Sequence, residues 1–329
     1  MNATTRNSQC QDTRRPELSI VTTMYRSESF LPDFYSRVRA AAERMTPDFE
    51  LIFVDDGSPD QSATIVRKLA DYDDRVVLVS LSRNFGHHKA ILAGLAEATG
   101  RRVFLIDCDL EEQPEWLKDF DARLRSSDAD VIYGVQENRT GGLGNRVFVG
   151  SFYRVFNWLS EVRIPVNLCT ARLMTDSYVS ALLSLKDKNV FLGGNAAWAG
   201  FRQQPLPVHK TRRSGASTYT PVKMLGLLIN AVTSFTAYPL QAIFVIGLVI
   251  SAVSAAFGLE ILIRKLSEPQ TVQLGYASIM VSIWFIGGLL IFFTGVIGIY
   301  LSKIFAEVKE RPLYIVREVL RARGRKAAV

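Results

Sequence analysis

The chain has 329 residues, of which 48% are hydrophobic and 22% charged, and its net charge is +7. This length allows one sizeable soluble domain and a smaller second part. The apolar residues alternate with charged ones up to about residue 220 and then concentrate between Leu240 and Leu301. Such a distribution excludes a wholly soluble protein as the simplest reading and indicates a soluble domain joined to a membrane segment.

The positive charge is concentrated after the last apolar run. The group comprises Lys303, Lys309, Arg311, Arg317, Arg321, Arg323, Arg325 and Lys326. A basic segment directly after a membrane helix is more typical of contact with anionic lipid headgroups, or of topology control, than of base recognition. We therefore expect no nucleic-acid partner, and a basic cytoplasmic tail over residues 303–329.

The N-terminus and the cysteines both favour a cytoplasmic first domain. Residues 1–16 are polar, lack the apolar stretch of a signal peptide and are predicted to be disordered. The three cysteines, Cys10, Cys108 and Cys169, show no CxxC spacing. This pattern predicts reduced thiols in a cytosolic domain rather than a zinc site or a disulfide framework.

Strand and helix patterns alternate after residue 17. Short apolar runs predict strands at Leu18–Tyr25, Glu50–Val54, Val76–Leu81 and Val103–Ile106. Helical spacing lies between them, at roughly 30–44, 61–72 and 87–99. Strands that are apolar throughout and are joined by helices predict an α/β domain with a mostly parallel sheet. Ligands of such sheets bind beyond the carboxyl ends of the strands.

Two long apolar stretches follow this domain. Leu240–Ile263 and Leu274–Leu301 are each long enough to cross a hydrocarbon core, and neither has the polar face of a soluble helix. Their short connector predicts a transmembrane hairpin, with helices at about 240–263 and 276–301 and both ends in the cytoplasm. Residues 221–237 predict an amphipathic juxtamembrane helix. It either lies on the bilayer or packs on the soluble domain.

Two acidic clusters follow predicted strands. In VDDGSPD, Asp55 and Asp56 suit hydrogen bonds from a nucleobase or a ribose, although such a run is also an ordinary turn and helix cap. In LIDCDLEEQPEW, Asp107 and Asp109 can each bring one oxygen to a hard divalent cation. Such a cation would bridge the diphosphate of a nucleotide-sugar and stabilise the leaving nucleotide.

Four motifs in this order, TMYRSESFLPDFY, VDDGSPDQSATIV, SRNFGHHKAILAGLAEATG and DCDLEEQPEW, resemble the GT-A fold of family 2 glycosyltransferases. The later stretches VIYGVQENR, GNRVFVGSFYRVFNWLSEVRIP, ARLM, WAGFRQ and RRSGASTY, followed by two apolar runs, are similar to the polyprenyl-phosphate glycosyltransferases. That group includes GtrB-like undecaprenyl-phosphate sugar transferases and dolichol-phosphate mannose synthase. The resemblance covers about residues 17–315 and implies a Rossmann-like GT-A domain over residues 17–220, followed by the membrane hairpin within 238–302.

The resemblance also implies a reaction. An inverting glycosyltransferase would move a sugar from a nucleotide-sugar, such as UDP-glucose, to undecaprenyl or another polyprenyl phosphate, with Mg²⁺ or Mn²⁺ as cofactor. The lipid-linked product would serve envelope glycan or O-antigen modification at the bacterial inner membrane, and the enzyme would be a homo-oligomer, a tetramer by resemblance. A GDP-mannose-dependent mannosyltransferase and a catalytically weak nucleotide-sugar-binding scaffold remain alternatives.

Three groups of site residues follow from the resemblance. Nucleotide and diphosphate binding is assigned to Asp55, Asp56, Asp107, Arg139, Arg146 and Ser217. The metal is assigned to Asp107 and Asp109, and catalysis to Asp109, Arg172 and Arg212. Arginine suits diphosphate and lipid phosphate because its guanidinium stays charged and its donors form a fork.

One segment departs from the family pattern. Where relatives have a sequence like IPxDxGDFRLM, this chain has IPVNLCTARLM, so Asn167 and Thr170 replace two carboxylates while Arg172 remains. A general base from this segment is therefore in doubt. A phosphate acceptor is already ionised at neutral pH, so positioning and a metal can suffice.

Two further pairs of residues near these motifs have open roles. His87 and His88, in RNFGHHKA, are predicted to be exposed residues of a loop and the first turn of a helix. Glu111 or Glu112 offers a replacement for the lost carboxylate, although acidic residues at a helix start also suit the helix dipole.

Overall fold

The computed structural model describes residues 15–136, 167–185, 187–188, 190–210, 238–267 and 276–321. The strands are β1 (Leu18–Met24), β2 (Phe49–Asp55), β3 (Val76–Leu81), β4 (Arg102–Leu105), β5 (Val131–Gln136), β6 (Leu168–Thr175), β7 (Gln203–Val208) and β8 (Val316–Leu320). The helices are α1 (Leu31–Glu43), α2 (Ser62–Tyr72), α3 (His87–Glu97), α4 (Leu117–Arg125), α5 (Asp176–Ser184), α6 (Leu192–Trp198), α7 (Tyr238–Ser267) and α8 (Tyr276–Val308).

The strands form one sheet in the order β7-β5-β6-β4-β1-β2-β3-β8. β1 pairs in parallel with both β2 and β4, and β2 pairs in parallel with β3. Every residue of β1 and β2 is buried, which is why these strands read as continuous apolar runs. The α/β prediction is confirmed, and the four predicted strands lie within one residue of their expected bounds.

Helices cover both faces of this sheet. Ile20 packs into a core with Phe34 of α1, whereas its neighbour Val21 points to the other face and packs with Ile91 of α3. α3 lies especially close to the strands at Gly94, where an added Cβ would stand 2.5 Å from a methyl group of Val21. This close packing fixes the start of α3 relative to the strand ends.

The second half of the sheet brings distant segments to the same edge. β6 runs antiparallel between β4 and β5, and β7 runs parallel to β5. The carboxyl ends of β4, β5 and β7 therefore lie beside the amino end of β6. This topology places the residues after β4, the first residues of β6 and Lys210, just beyond β7, next to one another.

Part of the predicted basic tail belongs to the sheet. β8 pairs antiparallel with β3, and Leu320 lies opposite Leu78. Glu318 accepts two hydrogen bonds from Arg67, at 3.0 and 2.8 Å. The chain after α8 therefore returns to the soluble domain and covers the edge of β3.

Two long helices, α7 and α8, contain the predicted membrane hairpin. Among the residues that the structure describes, one stretch is long and apolar enough to span a membrane: Phe285–Val308, with a mean hydropathy of 2.1. Tyr238–Ile250 in α7 is a shorter apolar stretch. α8 continues to Val308, beyond the predicted end at Leu301. The predicted juxtamembrane helix at 221–237 and the N-terminal residues 1–14 lie outside the described residues.

Candidate active site

A cavity of about 290 Å³ opens at the carboxyl ends of β1, β2 and β4. Its polar lining includes Arg26, Asp56, Asn84, His87, Asp107 and Asp109. The two acidic clusters found in the sequence therefore meet in one cavity, as the parallel sheet predicts.

The first cluster holds two backbone turns together. Asp55 accepts a hydrogen bond from the backbone N–H of Ser58 at 2.9 Å. The two carboxylate oxygens of Asp56 accept from the N–H groups of Phe85 and Gly86, at 2.7 and 3.0 Å. Both carboxylates are buried. The structure thus gives these residues a role in fixing the loops around the cavity, and their contact with a nucleoside stays a prediction.

The second cluster places two carboxylates side by side. Burial raises the pKa of Asp107 to about 6, helped by the charge of Asp109, while a hydrogen bond from the Thr170 side chain and the charge of Lys210 oppose the rise. Leu110 follows with φ +62°, a left-handed backbone rarely adopted by a residue with a Cβ. Strained turns of this kind are concentrated at functional sites.

The carboxylate pair fits a divalent cation. No group of three or more His, Cys, Asp or Glu side chains is arranged to hold a metal among the described residues. Mg²⁺ is usually held by one or two carboxylates together with substrate phosphates and water. Asp107 and Asp109 match that incomplete ligand set, because a diphosphate in the cavity would supply the missing oxygens.

Glu112 is a buried carboxylate whose role the sequence left open. Its side chain is fully buried, and Oε1 accepts from the backbone N–H of Thr170 and from Nζ of Lys210, each at 2.9 Å. Burial and the charge of Asp107 raise the pKa of Glu112. Burial alone would lower the pKa of Lys210, but Glu112 more than offsets this and the pKa is raised. A carboxylate therefore does stand beside Thr170, supplied by the loop after β4.

His87 lines the cavity and its side chain is 46% exposed, so the predicted exposure of this histidine is confirmed. Its Nδ1 is 3.0 Å from the Thr23 hydroxyl, and its Nε2 is 3.5 Å from Oδ1 of Asp107. Burial lowers the pKa of His87. His88 was also predicted to be exposed but is half-buried, with Nδ1 3.2 Å from the carbonyl oxygen of Val190. The reason is its contact with the chain before α6, where the ring of Phe191 lies 6.3 Å from that of His88.

Arg172 lies apart from the carboxylate pair. It is 3% exposed, donates to the carbonyls of Thr170 and Cys169 at 3.1 and 3.3 Å, and lines a second cavity of about 250 Å³ beneath α6. Burial lowers the pKa of its guanidinium. The structure does not bring Arg172 into the cavity of Asp107 and Asp109.

Other predicted residues stand as follows. Asn167 has φ +63°, and its side-chain amide donates to the carbonyl of Gln136 at 3.5 Å. Cys108 and Cys169 are free and buried, as expected of reduced thiols. The predicted residues Arg139, Arg146, Arg212 and Ser217 lie outside the described residues, as does Cys10.

Comparison with known proteins identifies relatives over nearly the whole chain. A Mycobacterium tuberculosis protein named among the glycosyltransferases is 44% identical over 302 residues, covering 92% of this chain and 88% of that protein. The SfII prophage-derived bactoprenol glucosyl transferase of Shigella flexneri is 33% identical over 304 residues, covering 92% and 98%. A crystal structure of S. aureus TarS 1–349 in complex with UDP-GlcNAc is 20% identical, covers 66% of each chain and has a TM-score of 0.44.

Residues 19–177 match the family described as Glycosyl transferase family 2. The matched region contains the sheet from β1 to β6 and both acidic clusters of the cavity. The near-full-length relatives are glycosyltransferases by name. The chain therefore belongs to glycosyltransferase family 2, and it is a glycosyltransferase with a GT-A fold.

Proposed function

We propose that this enzyme transfers a hexose from a nucleotide-sugar to a polyprenyl phosphate at the membrane surface, with inversion at the anomeric carbon. The observation that carries the proposal is the pair Asp107 and Asp109 in a cavity at the strand ends of a chain that continues into a long apolar helix. Relatives named bactoprenol glucosyl transferase favour glucose as the sugar and undecaprenyl phosphate as the carrier.

The proposed cofactor is Mg²⁺ or Mn²⁺, held by Asp107 and Asp109. When bound, the ion supplies a Lewis acid that neutralises charge on the departing nucleoside diphosphate. The chain's own residues prepare this site: Thr170 hydrogen-bonds to Asp107, and Lys210 brings a positive charge close to it. Asp55 and Asp56 would form the nucleoside side of the cavity, at the end of β2.

Acceptor activation needs no strong base in this proposal. The second ionisation of a phosphate monoester lies near pH 6, so the acceptor oxygen already carries charge at neutral pH. The enzyme must instead offset repulsion between two anionic substrates, and we assign this task to Arg139, Arg146 and Arg212, while Ser217 would hydrogen-bond to the donor diphosphate. For Arg172 we propose an indirect role, because it holds the carbonyls of Thr170 and Cys169 and thereby shapes the start of β6.

The proposed location is the bacterial inner membrane, with two crossings and a cytoplasmic catalytic domain. Support comes from β8, which follows α8 yet pairs with β3 of the catalytic sheet. A chain that leaves the domain, enters the bilayer and returns to the same sheet must cross an even number of times. If Phe285–Val308 crosses the membrane, α7 must cross it as well.

A donor panel tests the proposal. Enzyme purified from membranes in detergent would be incubated with undecaprenyl phosphate and one radiolabelled donor at a time. The donors are UDP-glucose, UDP-galactose, UDP-N-acetylglucosamine and GDP-mannose. We expect a labelled lipid from UDP-glucose, cleaved by mild acid. Labelling by GDP-mannose alone would instead identify a mannosyltransferase. Nucleotide binding without any labelled lipid would identify a binding scaffold.

A further inference from the structure

The loop before α3 is held in place by a buried carboxylate. Asp56 accepts hydrogen bonds from the backbone N–H groups of Phe85 and Gly86, at 2.7 and 3.0 Å. These two residues directly precede His87 in the chain. Gly86 has φ +100°, a conformation that favours glycine, and it is the residue from which α3 starts. His87 therefore enters the cavity from a fixed backbone.

The two ring nitrogens of His87 face two different strand ends. Nδ1 is 3.0 Å from the hydroxyl of Thr23 in β1, and Nε2 is 3.5 Å from Oδ1 of Asp107 after β4. If the Thr23 hydroxyl donates to Nδ1, the proton of a neutral imidazole lies on Nε2 and points towards the carboxylate. One tautomer thus presents an acceptor to Thr23 and a donor to Asp107.

We propose that His87 is a positioning residue that orients the Asp107 carboxylate towards the divalent cation. The proposal rests on the metal site proposed above. His87 approaches Asp107 from α3, and the Thr170 side chain bonds to it from β6, so the carboxylate is held from two sides. Partners of this kind fix the orientation of metal-ligating side chains, and losing one typically weakens metal affinity about 10–100-fold.

The distance of 3.5 Å is longer than an ordinary N–H···O hydrogen bond of about 2.7–3.2 Å. Catalytic contacts are often long without substrate and shorten in the complex. We expect the same here, because a cation that draws Asp107 into one orientation also fixes the oxygen that faces His87.

His88 provides a matched control in the same turn of α3. Its Nδ1 lies 3.2 Å from the carbonyl of Val190, and its ring lies 6.3 Å from that of Phe191. It does not line the cavity of Asp107. Replacing His88 removes an imidazole and some packing but leaves the contact between His87 and Asp107 in place.

The experiment measures Mn²⁺ binding to the full-length enzyme in detergent, with UDP present, by the loss of the free-ion electron paramagnetic resonance signal. The variants are His87→Ala, His87→Gln, Thr23→Val and His88→Ala. We expect about a 10–100-fold weaker Mn²⁺ affinity for His87→Ala. His87→Gln keeps an N–H donor near the Nε2 position and should recover most of the affinity. Thr23→Val should give a smaller loss, and His88→Ala none.

The outcomes separate this inference from the metal site itself. Wild-type enzyme that binds no Mn²⁺ overturns both. Wild-type binding with unchanged affinity in His87→Ala overturns only the role of His87. Pulsed electron paramagnetic resonance that detects a nitrogen nucleus bonded to Mn²⁺ would also contradict the positioning role, because His87 would then be a direct ligand of the metal. If His87→Ala does not fold, His87→Gln decides the question. A His87→Gln variant that melts at the wild-type temperature but binds Mn²⁺ more weakly than Thr23→Val contradicts the proposal.

Discussion

At the scale of single residues, the site contains more negative than positive side chains within a small volume. Asp107, Asp109 and Glu112 all lie in the loop after β4, and Lys210 is the cation that contacts Glu112. Like charges that are partly buried raise one another's pKa, as they do for Asp107. A divalent cation relieves this repulsion, which is why the same residues both favour a metal and make its binding sensitive to pH.

Metal binding should weaken in mild acid. The pKa of Asp107 is raised to about 6, so below this pH the neutral form dominates and a proton competes with the cation. We expect Mn²⁺ affinity to fall about tenfold per pH unit below about pH 6 and to level off above it. The measurement is a Mn²⁺ titration of the UDP complex between about pH 5 and 8. Because UDP titrates in the same range, Asp107→Asn serves as control, and an equal slope in that variant contradicts the assignment.

Glu112 and Lys210 form the buried ion pair of the site. Removing one partner of such a pair leaves the other charge unpaired in a poorly solvated place, which costs about 3–5 kcal/mol. Glu112→Ala should therefore lower the free energy of unfolding by roughly this amount, somewhat less because Lys210 retains 21% exposure. The double variant Glu112→Ala with Lys210→Met should regain part of the loss. Additive losses in that cycle would show that the pair is not coupled.

Thr170 is a neutral residue that contacts two carboxylates. The backbone N–H donates to Glu112, and the side chain hydrogen-bonds to Asp107. Thr170→Ala removes only the second contact, a hydrogen bond to a charged group worth about 1.5–3 kcal/mol. We expect kcat/KM to fall by about 10–50-fold. A loss as large as that of Asp109→Asn would mean that Thr170 takes a direct part in the chemistry.

At the scale of elements, the strands that could be predicted were those whose own residues carry a clear pattern. β1 to β4 are buried on both faces and read as continuous apolar runs, so their positions and parallel pairing followed directly. β8 was missed, because its short sequence VREVL carries two charges and follows a long apolar helix. It becomes a strand only through pairing with the exposed edge of β3, which no local pattern reveals.

The site residues also divide into those that the local sequence reveals and those that depend on the pairing of distant strands. The acidic clusters were visible because each follows its own strand, whereas the contact between Glu112 and Lys210 depends on β7 pairing with β5. His87 keeps its predicted exposure, but no local pattern showed that it lines the cavity. That position depends on the close packing of α3 on β1 and β2 at Gly94.

The return of the chain in β8 should stabilise the catalytic domain. Arg321 is 10% side-chain exposed, bonds to Glu97 at 2.7 Å and lies 3.7 Å from the fully buried carboxylate of Glu50. Arg321→Ala would leave Glu50 without this charge partner, so we expect a loss of about 3 kcal/mol in the free energy of unfolding. Arg317→Ala, an exposed arginine of β8, should change it by less than about 0.5 kcal/mol. Equal effects of the two variants would contradict the role of Arg321.

At the scale of the whole molecule, the chain returns to the catalytic sheet after the second long apolar helix. α7 follows the sheet through residues outside the described part, and β8 returns to the sheet after α8. In the proposed topology, this return keeps the catalytic domain at the membrane surface, where the proposed acceptor lies. It also makes the number of crossings a property that can be tested directly.

Cysteine labelling tests the topology. In a variant with Cys10 replaced by Ser, single cysteines would be introduced at Lys68 in α2, at Arg317 in β8 and at residue 268 between the long helices. Lys68 and Arg317 are exposed on the soluble domain. We expect a membrane-impermeant reagent to label position 268 in spheroplasts, and the other two only after lysis. Labelling of position 317 from outside would exclude the hairpin.

We propose that Asp107 and Asp109 direct a metal-dependent transfer of sugar to a polyprenyl phosphate. The most direct test is the rate at which purified enzyme forms labelled lipid from UDP-glucose and undecaprenyl phosphate. The rate would be compared for wild type and Asp109→Asn, each with Mn²⁺ and with excess chelator. We expect transfer to stop in chelator and to fall at least about 100-fold in the variant, since a metal ion contributes several kcal/mol to the transition state. Full transfer by Asp109→Asn in chelator would contradict it.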